Sequence, residues 1–272
     1  MKNTGSKRIW VVAFIVPVVL ILIGAGVFFY LSQDEALPKF EITTGVLKEE
    51  NREHFYDIDV EYPEIKGDSE AVVKINKQVK NFVDKRVADF KSSTLEIEQQ
   101  PFPDAKSSLV IRFEYGTRVK RGVHPTIYFR FEESPYIAGA AHPNGAVISS
   151  NFNLKTGDYL KLSDFFAYQS DFLSTISKLA SDDLLKQFDT FKNSQDGLVD
   201  WIKAGTAPTA DNYNDGSFYV KPEGFTLIFN PYQVAPYVFG EREVTIPWEQ
   251  LRSYLAGEWA ASVVFSKDDN QL

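Results

Sequence analysis

The sequence predicts an α+β fold that consists of an N-terminal transmembrane helix, followed by antiparallel sheets that are each covered by an amphipathic helix. Three observations lead to this prediction. An uncharged apolar run covers residues 9–31, several short runs alternate apolar and polar residues, and two longer segments repeat apolar residues at three- and four-residue steps. Because strands and helices come in separate groups along the chain, a parallel doubly wound sheet is disfavoured.

The apolar run Ile9 to Leu31 can cross a bilayer, because a helix of this length rises by roughly 35 Å. Basic residues precede the run and acidic residues follow it. The positive-inside rule therefore places a tail of residues 1–8 in the cytoplasm and everything beyond a polar linker at 32–38 outside the membrane. We expect a single-pass protein held in the cell membrane by a signal-anchor, with an extracytoplasmic C-terminal part.

A cleaved signal peptide is the alternative interpretation of the same run. Signal peptides have an apolar region of about 7–15 residues that ends at a cleavage site flanked by small residues. The run Ile9 to Leu31 exceeds that length, and no clear site of this kind follows it. A retained membrane helix is therefore the prediction.

Composition narrows the possible partners of the exported part. The chain after residue 31 holds all 37 acidic residues and 26 of the 29 basic ones, which gives it a formal net charge of −11. Such a charge disfavours nucleic acid and favours cationic partners, although it also serves plain solubility. Since the chain has no cysteine, it offers no disulfide and no thiol nucleophile.

The first half is predicted to form five strands and one long helix. The helix covers Ser69 to Ser92, where Val72, Ile75 and Val79 begin a stripe of apolar residues at helical spacing. The alternating runs predict strands at Phe40 to Leu47, His54 to Tyr62, Leu109 to Val119, Thr126 to Glu132 and Val147 to Leu154.

The second half echoes this plan without a convincing internal repeat, and its first predicted elements are helices. A second amphipathic helix is predicted over Ser170 to Phe191, and a shorter helical piece over Gln195 to Ala204. Strands are expected at Phe218 to Val220, Phe225 to Phe229 and Glu243 to Ile246. A terminal helix is predicted to begin with Pro247 in its first turn, where a missing N–H is tolerated.

Two dense motifs hold the candidate binding residues. The first, Pro135 to Gly145 (PYIAGAAHPNG), contains Tyr136, His142 and Asn144 among small residues. The second, Asn230 to Gly240 (NPYQVAPYVFG), contains Tyr232 and Tyr237. Tyrosine rings combine apolar area with a polar hydroxyl, which suits contacts with sugars or proteins. A purely structural role is the favoured alternative for each motif: the first as a tight strand connection, the second as a loop that buries its rings.

Known catalytic patterns are not evident in the sequence. His124 and His142 form an imaginable metal pair, but no third ligand and no HExxH motif accompany them, so no metal and no cofactor are expected. Asp57, Asp59 and Glu61 share one face of a predicted strand, which favours a solvated surface over a glycosidase pair.

The two motifs and their order resemble a known pair of bacterial extracytoplasmic domains. YIAGAAHPNG followed by SNFNLKTGDYLKLSDFF is similar to the PdaC-type deacetylase-associated domain. NPYQVAPYVFGEREVTIPWEQL is similar to the C-terminal signature of the domain of unknown function that follows it, as in RsiV-like lysozyme-sensing anti-sigma factors. The resemblance implies a PdaC-type α+β domain over residues 39–162 and a C-terminal α+β domain over residues 163–272.

The resemblance also implies binding rather than catalysis. We expect a membrane-anchored, non-enzymatic module whose partner is peptidoglycan or a cationic protein such as lysozyme. The chain contains neither the sigma-binding domain of the anti-sigma factors nor the catalytic domain of the deacetylases, so neither activity carries over. The alternative is a cell-wall hydrolase or esterase with an unrecognised site.

Overall fold

The computed structural model describes residues 41–95, 105–118, 125–191 and 197–261. The predicted cytoplasmic tail, membrane helix and linker at residues 1–38, as well as His124, lie outside these ranges. In the described ranges, no helix has both the length and the apolar character needed to cross a membrane. The chain separates into a unit of residues 1–39 and a compact unit of residues 40–272, and the described elements all belong to the second unit.

A five-stranded sheet forms the first half of the compact unit, with its strands in chain order from edge to edge. The strands are β1 (Ile42–Asn51), β2 (Tyr56–Ile65), β3 (Ser107–Arg118), β4 (Thr126–Tyr136) and β5 (Ala146–Asn153). The alternation expected from the sequence explains them: in β2, Ile58 and Val60 are buried, whereas Asp57 and Asp59 face outwards and remain partly exposed.

One pairing in this sheet differs from the expected antiparallel arrangement. β2 and β3 run parallel, with Ile58 opposite Leu109, while the other three pairs are antiparallel. The helix α1 (Glu70–Leu95) connects β2 to β3 and carries the chain back to the end of the sheet where β2 began. The prediction of wholly antiparallel sheets was therefore wrong at this position, because side-chain alternation does not distinguish the two directions.

The helix α1 covers one face of the sheet, as its spacing predicts. Its buried stripe includes Ile75, Val79 and Val83, which pack with Phe129 and Phe131 of β4 in the first hydrophobic core. Each such side chain contributes about 1.5–3 kcal/mol when it is removed from water. This packing holds α1 against the face of the sheet, where its residues form a wall of two clefts.

A three-stranded antiparallel sheet and short helices form the second half. The strands are β6 (Phe218–Val220), β7 (Gly224–Phe229) and β8 (Arg242–Pro247), in that order across the sheet. The helices are α2 (Phe172–Gln187), α3 (Leu198–Gly205) and the single turn α4 (Trp248–Leu251), with 3₁₀ turns at Leu162–Phe165 and Tyr237–Phe239. The predicted helices and strands of this half are present, and α4 begins directly after Pro247.

Aromatic rings fill the second core. Phe218 and Phe225 stack with their centroids 4.8 Å apart, and Phe165 meets Phe225 edge-on at 5.8 Å. The guanidinium of Arg118 lies 4.7 Å from the ring centre of Trp248, so a cation from β3 enters this core against an aromatic face. Burial lowers the pKa of Arg118 to about 10, which leaves the side chain charged at neutral pH.

Side-chain amides join the two sheets along the outer edge of β5. Asn151, which is fully buried, donates to the carbonyl of Phe218 at 2.9 Å and accepts from the N–H of Val220 at 3.2 Å. Asn230 likewise accepts from the N–H of Val147 at 2.6 Å and donates to its carbonyl at 3.0 Å. Each side-chain amide thus makes the two backbone hydrogen bonds that a residue of a neighbouring strand would make.

The predicted boundary between two domains, after residue 162, stays a prediction.

Candidate functional site

The loop that follows β4 is held by its own backbone. The N–H of Ala138 donates to the Ser107 hydroxyl at 2.9 Å, and the N–H of Asn144 donates to the carbonyl of Pro135 at 2.9 Å. Gly139 adopts φ = 90°, a left-handed conformation that side chains disfavour. These constraints present residues 139–144 as an exposed turn of fixed shape.

His142 in this turn meets the tyrosines of the second motif. Its ring stacks on Tyr237 with a centroid distance of 4.1 Å and an interplanar angle of 23°. The Tyr232 hydroxyl lies 3.5 Å from His142 Nε2, and the two tyrosine rings are 5.5 Å apart. The Tyr237 hydroxyl donates to the carbonyl of Pro143 at 3.2 Å. We call His142, Tyr232 and Tyr237 the aromatic cluster.

Tyr232 is an exposed ring of the aromatic cluster, at 51%. Its φ of 70° is unusual for a residue with a side chain and costs about 1–3 kcal/mol. The Trp201 indole N–H donates to the Tyr232 carbonyl at 2.8 Å, and the Gln233 side chain donates to the carbonyl of Gly205 at 3.2 Å. α3 therefore fixes this backbone and presents the ring to solvent.

The other two predicted residues take different positions. Asn144 and His142 line a cleft of about 270 Å³ between α1 and the turn. Tyr136, at the end of β4, does not line this cleft and has no ring contact or hydrogen bond to the aromatic cluster in the described ranges. The structure thus brings together His142, Tyr232 and Tyr237, sets Asn144 beside them and leaves Tyr136 apart.

An ion pair between a buried glutamate and a half-buried arginine, which the sequence interpretation missed, forms part of the wall of the same cleft. The Glu133 carboxylate lies 2.9 Å from Arg86 Nε and is only 7% exposed. Burial raises the pKa of Glu133, and the Arg86 charge opposes that rise. The Arg86 guanidinium also lies 5.2 Å from the ring centre of Phe82. The sequence did contain a sign of this buried charge, since Glu133 follows Phe129 and Phe131 at the next inward-facing position of β4.

The carboxylates of β2 have basic partners. Asp57 pairs with Lys106 at 2.6 Å, and Asp59 pairs with Arg112 at 3.0 Å. Glu61 lies 3.9 Å from the same arginine. All of these side chains are more than a third exposed, so they form a solvated network rather than a pair that flanks a cleft. The described part of the chain holds no group of three His, Cys, Asp or Glu side chains that could bind a metal.

Comparison with known proteins finds a family model that matches the part of the chain with the second motif. Residues 163–249 match the model of DUF3298, a family of unknown function. The match begins where the C-terminal domain was predicted to begin, and it contains Tyr232 and Tyr237. The first motif, with His142, lies outside the DUF3298 match.

A curated relative extends the likeness to the first half. The chain is 27% identical over 200 residues to the peptidoglycan-N-acetylmuramic acid deacetylase PdaC of Bacillus subtilis. The alignment covers 74% of this chain, which spans 39% of the length of that relative. The likeness to PdaC agrees with the predicted resemblance, whereas the likeness to the lysozyme-sensing anti-sigma factors stays a prediction.

Solved structures of DUF3298 proteins share the fold. A family member from Bacteroides fragilis has a TM-score of 0.55 at 18% identity, over 82% of this chain and 96% of its own. A second, from Pseudomonas aeruginosa, has a TM-score of 0.57 at 14% identity, over 83% of this chain and 97% of its own. At these identities the likeness concerns the fold, and none of the comparisons establishes a catalytic function.

Proposed function

We propose that this protein is a non-enzymatic recognition module that faces the cell wall and binds a cell-wall glycan or a lysozyme-like protein. A membrane helix at residues 9–31 would hold it at the outer surface of the membrane. The aromatic cluster is its contact surface. The same chemistry serves both targets, because aromatic rings with polar edges pack against sugar rings and also against protein side chains.

The meeting of the two motifs is the observation that carries this proposal. His142 and Tyr232 are separated by 90 residues in the chain, yet their side chains approach within 3.5 Å at the surface. A role in stability alone would be served by burial, whereas His142 is exposed and Tyr232 is 51% exposed. Strained backbone that holds an exposed ring is typical of binding surfaces.

Two further observations bear on the target. The relative PdaC is a peptidoglycan deacetylase, and this likeness supports a glycan ligand. The formal net charge of −11 after residue 31 supports a cationic protein, since opposite charge accelerates association. Salt should slow association with a cationic protein and leave glycan binding nearly unchanged.

A co-sedimentation assay tests the proposal with the full chain in mild detergent. Purified peptidoglycan is one target and immobilised lysozyme is the other. We expect His142→Ala and Tyr232→Asn to weaken binding by about 10-fold or more, because each removes a ring from the contact surface. Asparagine tolerates the positive φ at position 232, so the backbone is kept.

Tyr168→Ala is the matched control, because Tyr168 is 92% exposed and no ring contact or hydrogen bond joins it to the aromatic cluster in the described ranges. Its binding should equal that of the unmodified protein. The proposal is wrong if the unmodified protein binds neither target. It is also wrong if His142→Ala and Tyr232→Asn both bind as well as the unmodified protein and the Tyr168→Ala control.

A cell-wall hydrolase or esterase is the second candidate. It is favoured by one observation: the cleft beside His142 contains the buried carboxyl of Glu133, whose pKa is raised by burial. Carboxyl groups in such surroundings serve as general acids. This candidate would be favoured over the binding module if the unmodified protein released reducing ends or acyl groups from peptidoglycan and the Glu133→Gln variant did not.

A further inference from the structure

A second, larger cleft adjoins the candidate site. It has a volume of about 670 Å³ and lies between α1, the edge strand β5 and the loops at 214–217 and 230–233. Arg86 borders both this cleft and the 270 Å³ cleft beside His142. The two clefts thus lie side by side along α1 with Arg86 at their common border, and we call them together the α1 groove.

The lining of the larger cleft is polar but almost uncharged. Of the described residues that line it, Arg86 alone carries a charge, in a chain where 24% of residues are charged. Amides, hydroxyls and rings supply the rest of the surface, with Gln78, Asn81, Ser150, Asn214, Phe82 and Tyr159 among them. A neutral ligand rich in hydrogen-bonding groups fits this lining better than an ion does.

Several of these polar groups remain available to a ligand. In the described ranges, neither the Asn81 amide nor the Ser150 hydroxyl forms a hydrogen bond, and Asn81 is exposed on α1. Gln78 donates through Nε2 to the carbonyl of Gly157 at 2.9 Å, which leaves its oxygen free to accept. Asn214 accepts from the N–H of Gly216 at 2.9 Å, which leaves its amide nitrogen free to donate.

A peptide that adds a strand to β5 is excluded as the occupant. Such peptides bind through unpaired backbone groups at a sheet edge. At the outer edge of β5, the backbone of Val147 already bonds with the Asn230 amide, and the N–H of Ser149 donates to the carbonyl of Gly216 at 2.9 Å. The ligand must therefore be recognised by side chains.

We propose that the α1 groove binds a chain of N-acetylated hexosamines. An acetamido group offers one N–H donor, one carbonyl acceptor and a methyl group. Side-chain amides such as Asn81 match the first two, and Phe82 and Ile148 offer apolar contact for the third. The succession of two clefts along α1, with Arg86 at their border, suits a linear oligomer. This inference rests on the proposed function, since it assigns the glycan class to that site and its surroundings.

Calorimetric titration of the full chain with chitohexaose, an uncharged oligomer of N-acetylglucosamine, tests the inference. We expect chitohexaose to bind and cellohexaose, which has no acetamido groups, to bind at least about 10-fold more weakly. Asn81→Ala should weaken chitohexaose binding by about 3- to 10-fold, which corresponds to one hydrogen bond. Asn81→Trp should weaken it further by filling the groove.

Lys77 provides the matched control, because it is exposed on α1 and does not line the groove. Lys77→Ala and Lys77→Trp should bind chitohexaose as the unmodified protein does. Absence of chitohexaose binding, equal binding of cellohexaose, or unchanged binding by both Asn81 variants would overturn the inference. If the unmodified protein still binds peptidoglycan or lysozyme through the aromatic cluster, the proposed function stands without the α1 groove.

Discussion

Asn151 offers the sharpest test of how the two sheets are joined. Its buried amide bonds both the carbonyl of Phe218 and the N–H of Val220, at the outer edge of β6. In Asn151→Ala, the Phe218 carbonyl keeps a bond from the Ser149 hydroxyl, but the Val220 N–H loses its partner. One lost hydrogen bond costs about 1 kcal/mol and a buried unpaired donor about 1–3 kcal/mol. We expect a total loss of about 3 kcal/mol in the free energy of unfolding.

Thermal unfolding of the full chain, followed by circular dichroism, measures this loss. For a protein of this size, 3 kcal/mol lowers Tm by about 6–12 °C. Asn81→Ala is the control, because Asn81 is exposed on a helix and its replacement should change Tm by no more than about 2 °C. A change of less than about 2 °C in Asn151→Ala would show that the amide does not stabilise the junction, and would refute this reasoning.

Three further predictions concern stability. Arg130→Met should lower the free energy of unfolding by about 2 kcal/mol in a urea titration, because it leaves the carboxylates of Glu241, just before β8, and Glu243, in β8, close together without their cation. An unchanged midpoint would contradict this role of Arg130. Gly205→Ala should lower Tm although alanine favours helices, because the added Cβ would overlap a backbone carbonyl of the 230–236 loop. Gly257→Ala is the control: its added Cβ meets open space, so Tm should not fall. Glu49→Gln should lower Tm at pH 7, and this difference should shrink as the pH falls. The hydrogen bond from Lys91 lowers the folded-state pKa of Glu49, so its stabilisation is present above the ordinary pKa and is lost as the pH falls through the folded-state pKa. A Tm difference independent of pH would contradict that assignment.

Most elements of the fold follow from local patterns in the sequence. The stripe that includes Ile75 and Val79 predicts α1 within a few residues of its observed ends, and alternation predicts all five strands of the first sheet. The parallel pairing of β2 with β3 was missed, because side-chain alternation is the same in both directions and only the crossover through α1 decides between them.

The candidate site was predictable in part. The residue types of the two motifs identified His142, Tyr232 and Tyr237, but their contact depends on how the second half docks on the loop after β4, and no local pattern encodes that. Glu133 was detectable as a charge at an inward-facing strand position. Its partner Arg86 was not, because the sequence does not show which face of α1 lies over the end of β4.

The hydrogen bonds between the Asn230 side chain and the backbone of β5 also determine when the edge of β5 becomes covered during synthesis. Asn230 is 83 residues further along the chain than Val147, the residue whose backbone it bonds. At about 5–20 residues per second, ribosomes need roughly 4–17 s to synthesise that interval. In this interval β5 has been synthesised but the segment that contains Asn230 has not, so the outer edge of β5 is uncovered. An uncovered strand edge promotes aggregation. Helper proteins that shield nascent chains would matter most in this window.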